Sequence, residues 1–512
     1  MAKNTKTSKS KQVKLNFHDH LILNQWLLSL FNVEKFQDFF GKNPENFEGI
    51  KGDNTLFLDE ILYGQFFRLH NSPISQDELR RYDLNIVKHW QKITKNRNKK
   101  DGFELKMKYF QYLSLLFTEI YLDWYFHKPH DLLNALNQAK ADYELTVKEA
   151  KIFTPFDLAD LSNLAFWNAT GSGKTLIMHV NILQYQHYAK KIDKIIVLTT
   201  NEGLSKQHLD DLLLSDLSGS LFDKNAGELL KSDIEIIEIT KLADKDGEKT
   251  VSAHSFLGNN LVLIDEGHRG SKGEQWLKYR DILSKGGFSF EYSATLGQVV
   301  SGNKNPLFEK YAKSIIFDYS YKYFYADGFG KESLILNLNK DNNYFENHQN
   351  LYLTACLLSF YQQKYLFANH KGQLGKYNIE NPLMIFVGSK VSDDNSDILK
   401  VVDFLAYFVN HSDEVIGFLK DLIANKARLV NDKGVDIFNG RFNPLTHFID
   451  KENKLYTDII KTVMNAEHKA RLRLTHLKKS DGELALSLGE NGEPFAVINI
   501  GDSSGLFKTA SE

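Results

Sequence analysis

At 512 residues, with 42% hydrophobic and 25% charged residues, the chain can bury large cores, and its length suggests roughly three domains of ~150 residues each. Its formal net charge of −2 confines any nucleic-acid contact to local patches. The single cysteine, Cys356 in "LTACLLSF", excludes an internal disulfide framework, fits a reducing cytoplasm and reads as a small core residue.

The opening "MAKNTKTSKSKQVKLN" carries five lysines and no following apolar region, so it is not a signal peptide. Residues 1–16 are expected to form a basic disordered tail, a solvated charge run rather than a nucleic-acid arm. Residues 17–160 read as a helical domain, with apolar residues at helical spacing in "LILNQWLLSLFNVEKFQDFF" and "FELKMKYFQYLSLLFTEIYLDWYF". A more polar helix is expected in "HDLLNALNQAKADYELTVKEAK". The basic stretch "KHWQKITKNRNKKDGF" reads as a loop with weak nucleic-acid potential. No apolar run reaches the ~18 residues that a membrane helix needs.

From 161 to 320 the rhythm changes to short apolar strands alternating with helices: "NLAFWNA", "KIIVLTT", "IEIIEI", "NLVLIDE", "FSFEYSAT" and "SIIFDYS". Such alternation predicts an α/β fold with a parallel sheet covered by helices. The aromatic, glycine-bearing "YKYFYADGFGKE" reads as a linker, followed by a long helix in "HQNLYLTACLLSFYQQKYLF", so that 321–380 is linker and helix. In 381–512 a strand is expected in "NPLMIFVGSKV", then a mostly helical stretch from Ser396 to about His476 with the loop "DIFNGRFNPL" inside it. "FAVINI" reads as a buried strand, with the turn at Gly501, Asp502, Ser503, Ser504 and Gly505 after it.

The sharpest signal is "AFWNATGSGKTLIMHV". A buried strand runs into a glycine turn and an apolar helix follows. Only glycine lets the backbone fold so tightly that successive N–H groups point inward and cradle an anion. Thr170, Gly171, Ser172, Gly173, Lys174 and Thr175 are the candidate phosphate-binding residues. Lys174 would reach the β- and γ-phosphates of ATP, and the Thr175 hydroxyl would ligate Mg²⁺. One departure from the general pattern is Asn168, which stands where a first glycine is usual.

A second motif, "NNLVLIDEGHRG", places carboxylates at a strand end. In a parallel sheet that end faces the same crevice as the phosphate loop. Asp265 would bind Mg²⁺, directly or through water. Glu266 would orient or deprotonate the attacking water. His268 would sit one turn further on, between the nucleotide and neighbouring motifs. No second histidine lies four residues from His268, so a protease-like zinc pair is excluded.

These residues resemble superfamily 2 helicases and translocases of the DEAD/DEAH-box kind. "ATGSGKT" looks like their motif I and "DEGH" like motif II. "IIVLTTNEGLSKQHL", with Thr200 and Asn201, resembles motif Ia, where a strand-end loop touches the nucleic-acid backbone. "YSATLG", with Ser293 and Thr295, resembles motif III, which couples hydrolysis to strand movement. "PLMIFVGSK" resembles motif IV, the first strand of a second RecA-like domain. The order of the five motifs excludes kinases, small GTPases and AAA-type ATPases.

Within that superfamily the likeness is to the helicase (Res) subunits of type III-like restriction systems, carried by "KYFQYLSLLFTEIYLDWYF", "NEGLSKQHL", "DEGHRG", "FEYSATLGQ" and "YKYFYADGFGKE". It covers about 60–510. The resemblance implies a RecA-like P-loop NTPase domain over 161–320 and a partial second RecA-like domain with a helical insertion over 381–512. It further implies ATP and Mg²⁺ as cofactors, double-stranded DNA as partner, and cooperation with a methyltransferase subunit and an endonuclease domain. Gln111 in "YFQYL" corresponds either to the glutamine that many such enzymes use to read adenine or to a helix-surface or core-edge amide.

Such enzymes also carry a Q-x-x-G-R-x-x-R run whose arginines reach the γ-phosphate. None occurs after Lys390: "NGRFNPL" lacks the surrounding pattern, and Arg471 and Arg473 in "HKARLRL" read as a solvated face. The expectation is therefore an ATP-binding half of a two-domain motor, truncated or split from a missing C-terminal half, with feeble hydrolysis on its own. Alternatives are a general superfamily 2 DNA or RNA helicase, and an ATP-binding assembly module without turnover.

Overall fold

The computed structural model describes residues 16–39, 43, 45, 48–50, 73–146, 151–224, 233–245, 247, 250–266, 273–300, 307–339, 345–374, 379–388, 397–477 and 483–499. The expected basic tail up to residue 15, His268, and the expected turn at 501–505 lie outside these residues. The chain divides into two compact units, Met1–Lys331 and Glu332–Glu512.

The first unit begins with helices: α1 (Ile22–Ser29), α2 (Gln76–Asp101), α3 (Tyr109–His127) and α4 (Pro129–Thr146). Helix α2 carries the basic stretch expected to be a loop. Its start is fixed by a capping box, in which Ser75 and Glu78 satisfy each other's backbone N–H groups. Trp90, Ile93 and Thr94 keep its inner face buried while the lysines point outward, and Gly102 stops it in the left-handed conformation. Helix α3 is buried on nearly every side, as an apolar-all-round helix must be. One continuous core runs from Phe17 through α3 to Tyr319, so the helical layer and the sheet share their interior.

The strands are β1 (Asn163–Asn168), β2 (Ile195–Thr199), β3 (Gly219–Leu221), β4 (Ile234–Glu238), β5 (Leu261–Asp265), β6 (Phe288–Ser293) and β7 (Ile315–Tyr319). They form a seven-stranded sheet in the order β3-β4-β2-β5-β6-β1-β7, and every neighbouring pair is parallel. The six apolar runs read from the sequence are all strands of this sheet; the three-residue edge strand β3 is additional. Central strands buried on both faces are continuous apolar runs rather than alternating ones, which is why they were readable. Between them lie α5 (Lys174–Tyr188), α6 (Glu202–Leu214), α7 (Gly273–Leu283) and α8 (Leu307–Ser314).

The segment read as a linker is partly a short helix, Tyr321–Ala326, that packs within the first unit. Phe324 approaches the phosphate loop, and Asp327 accepts hydrogen bonds from the hydroxyls of Tyr109 (2.5 Å) and Tyr319 (2.5 Å).

The second unit contains α9 (Phe345–Leu374), α10 (Asp397–Asn410), α11 (Ser412–Ile423) and α12 (Glu452–Met464). Strands β8 (Leu472–His476), β9 (Glu483–Leu488) and β10 (Ala496–Asn499) make a three-stranded sheet in that order. Both of its pairings are antiparallel, so this sheet is not the parallel one expected of a second RecA-like domain. The strand expected in "NPLMIFVGSKV" is likewise corrected: 379–388 joins no ladder among the described residues. Without a neighbour to bond its backbone a segment is not a strand, whatever its side chains. Leu383, Ile385 and Val387 are accordingly 78%, 72% and 88% exposed. "FAVINI" does contain β10, but as a half-exposed edge rather than a buried strand.

Candidate active site

The register of the parallel sheet brings the motif ends to one rim. Trp167 pairs with Ser293 across β1 and β6, Asp265 with Tyr292 across β5 and β6, and Leu198 with Ile264 across β2 and β5. Each motif therefore begins where its strand stops, at the carboxyl edge where open α/β sheets bind ligands. Phe166 stacks on Tyr292 at 4.8 Å, and the Asn181 amide of α5 donates to the Tyr292 hydroxyl at 2.8 Å. These contacts tie the phosphate-loop strand and helix to the strand beside the carboxylates.

The phosphate loop leaves β1 at Asn168. Ala169 N–H still bonds the Tyr319 carbonyl at 2.8 Å, and then the chain turns sharply. Gly171 and Gly173 have φ of +89° and +87°, a region that costs L-residues with a Cβ. The Ser172 hydroxyl donates back to the Ala169 carbonyl at 2.8 Å, which stiffens the turn from within. Helix α5 then starts with no side-chain cap, whereas α6 is capped by Asn201, whose side chain accepts from Leu204 N–H at 2.9 Å. Uncapped first-turn N–H groups at a positive helix end are a ready anion site. Thr170 and Gly171 are exposed at the loop's crest.

Lys174 Nζ lies 3.5 Å from Glu266 Oε1 and 3.5 Å from the Asn168 carbonyl oxygen. Glu266 has a φ of +54°, although it is not glycine. Such a left-handed residue carries about 1–3 kcal/mol of strain and persists where its surroundings dictate it. Here its N–H bonds the Tyr292 carbonyl at 3.0 Å, and Ser293 Oγ donates to its Oε2 at 3.3 Å. Thr295 N–H in turn donates to Ser293 Oγ at 3.0 Å. Ser293 and Thr295 thus form a short chain of hydrogen bonds to the Glu266 carboxylate.

Asp265 Oδ2 is bonded at 3.1 Å by His208 Nε2, a residue that sequence reading did not single out. Its only signal was phase: with Ser205 and Leu212 it lies on the buried face of α6. Asp265 Oδ1 is buried with no hydrogen-bond partner among the described residues. A spare carboxylate oxygen beside a phosphate loop fits a hard divalent cation that arrives with phosphates. Thr175 and Asp265 are the expected Mg²⁺ ligands; among the described residues no three His, Cys, Asp or Glu side chains cluster into a metal site.

Gln111 is drawn to this loop from α3. Its Nε2 donates to the Ser172 carbonyl at 3.0 Å and its Oε1 accepts from Lys108 N–H at 2.9 Å. Both ends of the amide are therefore used in the protein. Thr200 and Asn201 follow β2 at the same rim, half-buried and exposed respectively. Asn168, in the slot of the usual glycine, is fully buried, and neither of its side-chain polar atoms has a partner among the described residues.

Residues 131–298 match the family model described as "Type III restriction enzyme, res subunit". The matched stretch holds the phosphate loop, the α6 loop, Asp265, Glu266 and the motif III residues. Two solved structures are similar at greater distance. The UvsW helicase from bacteriophage T4 is 11% identical, over 55% of this chain and 91% of that one, with a TM-score of 0.24. The Sulfolobus solfataricus SWI2/SNF2 ATPase core in complex with double-stranded DNA is 11% identical, over 59% of this chain and 66% of that one, with a TM-score of 0.23. No curated protein matches the chain. Among the described residues no helix is long and apolar enough to cross a membrane.

Proposed function

We propose that this chain is the ATP-binding part of a DNA-dependent helicase or translocase of the type III restriction kind. The observation that carries the reading is the convergence of Lys174 and Glu266 at 3.5 Å, with Asp265 beside them, at one rim of a parallel sheet. Both strand ends fall within residues 131–298, the stretch that matches the res-subunit family model.

In this reading the loop N–H groups from Thr170 to Gly173 and the start of α5 bind the phosphates of ATP, and Lys174 exchanges Glu266 for the γ-phosphate. Freed from the lysine, Glu266 accepts a proton from the attacking water, held in position by Ser293. Thr175 and Asp265 would hold Mg²⁺, which would neutralise phosphate charge. Thr200 and Asn201 contact the DNA backbone, and Thr295 links that contact to Ser293. His268 completes the motif. Gln111 acts on the loop through Ser172 rather than on the base. The setting is a cytoplasmic restriction or anti-phage enzyme with a methyltransferase partner.

The test is ATP hydrolysis with and without double-stranded DNA, for the wild-type chain and Lys174→Ala. Slow, DNA-stimulated hydrolysis that the substitution abolishes is expected. Nucleotide binding without any DNA-stimulated turnover would favour an assembly module instead.

A further inference from the structure

Helix α6 is held at both ends and in the middle, and the middle contact is the candidate metal carboxylate. Its first turn is capped by Asn201, and Ser205 Oγ lies 2.6 Å from Thr199 Oγ1 at the end of β2. Its last turn is clamped by Arg97 of α2, which bonds Asp211 Oδ1 at 3.0 Å. The residue that ends it, Ser215, meets His179 of the phosphate-loop helix at 2.8 Å. Between these ends His208, 2% exposed, reaches Asp265 Oδ2 at 3.1 Å. The imidazole is buried and the helix that carries it is held at both ends.

We propose that His208 is a positioning residue, which donates Nε2–H to Asp265 and thereby fixes the carboxylate for Mg²⁺. This rests on the ATP·Mg²⁺ reading of the site. A carboxylate free to rotate binds a cation through a spread of orientations, whereas one with an oxygen already bonded presents the other in a set direction. Second-layer partners of this kind are worth about 10–100-fold in metal affinity. Because α6 starts immediately after Thr200 and its cap Asn201, His208 also joins the strand-end loop to the metal carboxylate through one rigid element.

The experiment measures binding of a fluorescent ADP to the full chain during Mg²⁺ titration and in EDTA. His208→Phe keeps the buried shape and loses the donor. His208→Gln restores a nitrogen donor at similar reach, and His208→Asn is too short. We expect the Phe and Asn variants to need about 10-fold more Mg²⁺ or beyond, with EDTA affinity unchanged, and Gln to stay within about 3-fold of wild type. Should the Phe variant fail to fold, the contrast between Gln and Asn decides. Equal Mg²⁺ dependence in wild type and Phe or Asn would overturn the inference while leaving the ATP site intact. Equal loss of binding with and without Mg²⁺ in Gln and Asn would overturn it too. Absence of Mg²⁺-dependent binding by the wild type would overturn the ATP site itself, and this inference with it.

Discussion

Lys174, which opens α5 after β1, and Glu266, just past the end of β5, face each other at 3.5 Å although β6 lies between those two strands. The lysine pairs with the carboxylate, so each of the two side chains has a partner of opposite charge. The two residues should then fail differently. Lys174→Ala should weaken nucleotide binding, since a hydrogen bond to a charged group contributes about 1.5–3 kcal/mol. Glu266→Gln should leave binding near wild type and cut hydrolysis by about 10²–10⁴-fold. Parallel loss of binding and turnover in both variants would contradict separate roles.

The left-handed backbone at Glu266 gives a second expectation. Asparagine tolerates that conformation better than glutamate does. Glu266→Asn should raise stability by up to about 1 kcal/mol, with hydrolysis lost. Denaturant midpoints measured beside turnover check it: a destabilised variant would mean that the strain is not carried at this residue.

Gln111 offers a discriminating case. An amide that reads adenine, once removed, relaxes the preference for ATP over GTP. An amide that braces Ser172, as its 3.0 Å bond does, supports both nucleotides equally. Gln111→Ala should lower ATP and GTP affinity together, by about 0.5–1.5 kcal/mol for one neutral bond. Loss confined to ATP would restore the adenine-reading role.

Gly173 sits against the same amide. A Cβ there would stand 2.4 Å from Gln111 Nε2, at a φ of +87°. Gly173→Ala should distort the loop and weaken nucleotide binding. Adding Gln111→Ala should recover part of the loss, because the clash disappears while the backbone cost of about 1–2 kcal/mol remains. Full recovery in the double variant would show that the backbone conformation matters little.

Away from the site, Glu119 is fully buried in the helical layer, with the Asn85 amide at 2.6 Å and the Tyr188 hydroxyl at 2.6 Å. Burial pushes its carboxyl up to about 7 from an ordinary 4.5, against those hydrogen bonds. The folded chain keeps this proton where the unfolded chain has released it. Stability from this group is therefore present at low pH and lost as pH rises from about 4.5 to about 7; the loss is about 3 kcal/mol at most. Glu119→Gln should flatten that slope between about pH 4.5 and about 7 in denaturant unfolding. Parallel slopes in both proteins would contradict it.

What was legible in the sequence follows from where the physics is local. The phosphate loop was readable because positive φ at Gly171 and Gly173 demands glycine. The sheet was readable because strands such as β1 and β5 are buried on both faces and carry no alternation to confuse. The basic half of α2 was misread because dense lysines mask the apolar phase of Trp90 and Ile93. The run at Leu383, Ile385 and Val387 misled in the opposite direction, since apolar alternation does not supply a ladder partner. The bond from His208 to Asp265 spans 57 residues. Neither it nor the backbone of Glu266 leaves any local signature, because both are set by tertiary packing.

The central claim is that the loop from Thr170 to Thr175 and the Asp265–Glu266 strand end form one Mg²⁺-dependent nucleotide site. Calorimetric titration of ADP with Mg²⁺ into the wild-type chain and Lys174→Ala tests it most directly. The account predicts one nucleotide per chain for the wild type and at least about 10-fold weaker binding for the variant. Equal affinity in the two proteins, or no binding by the wild type, would contradict it.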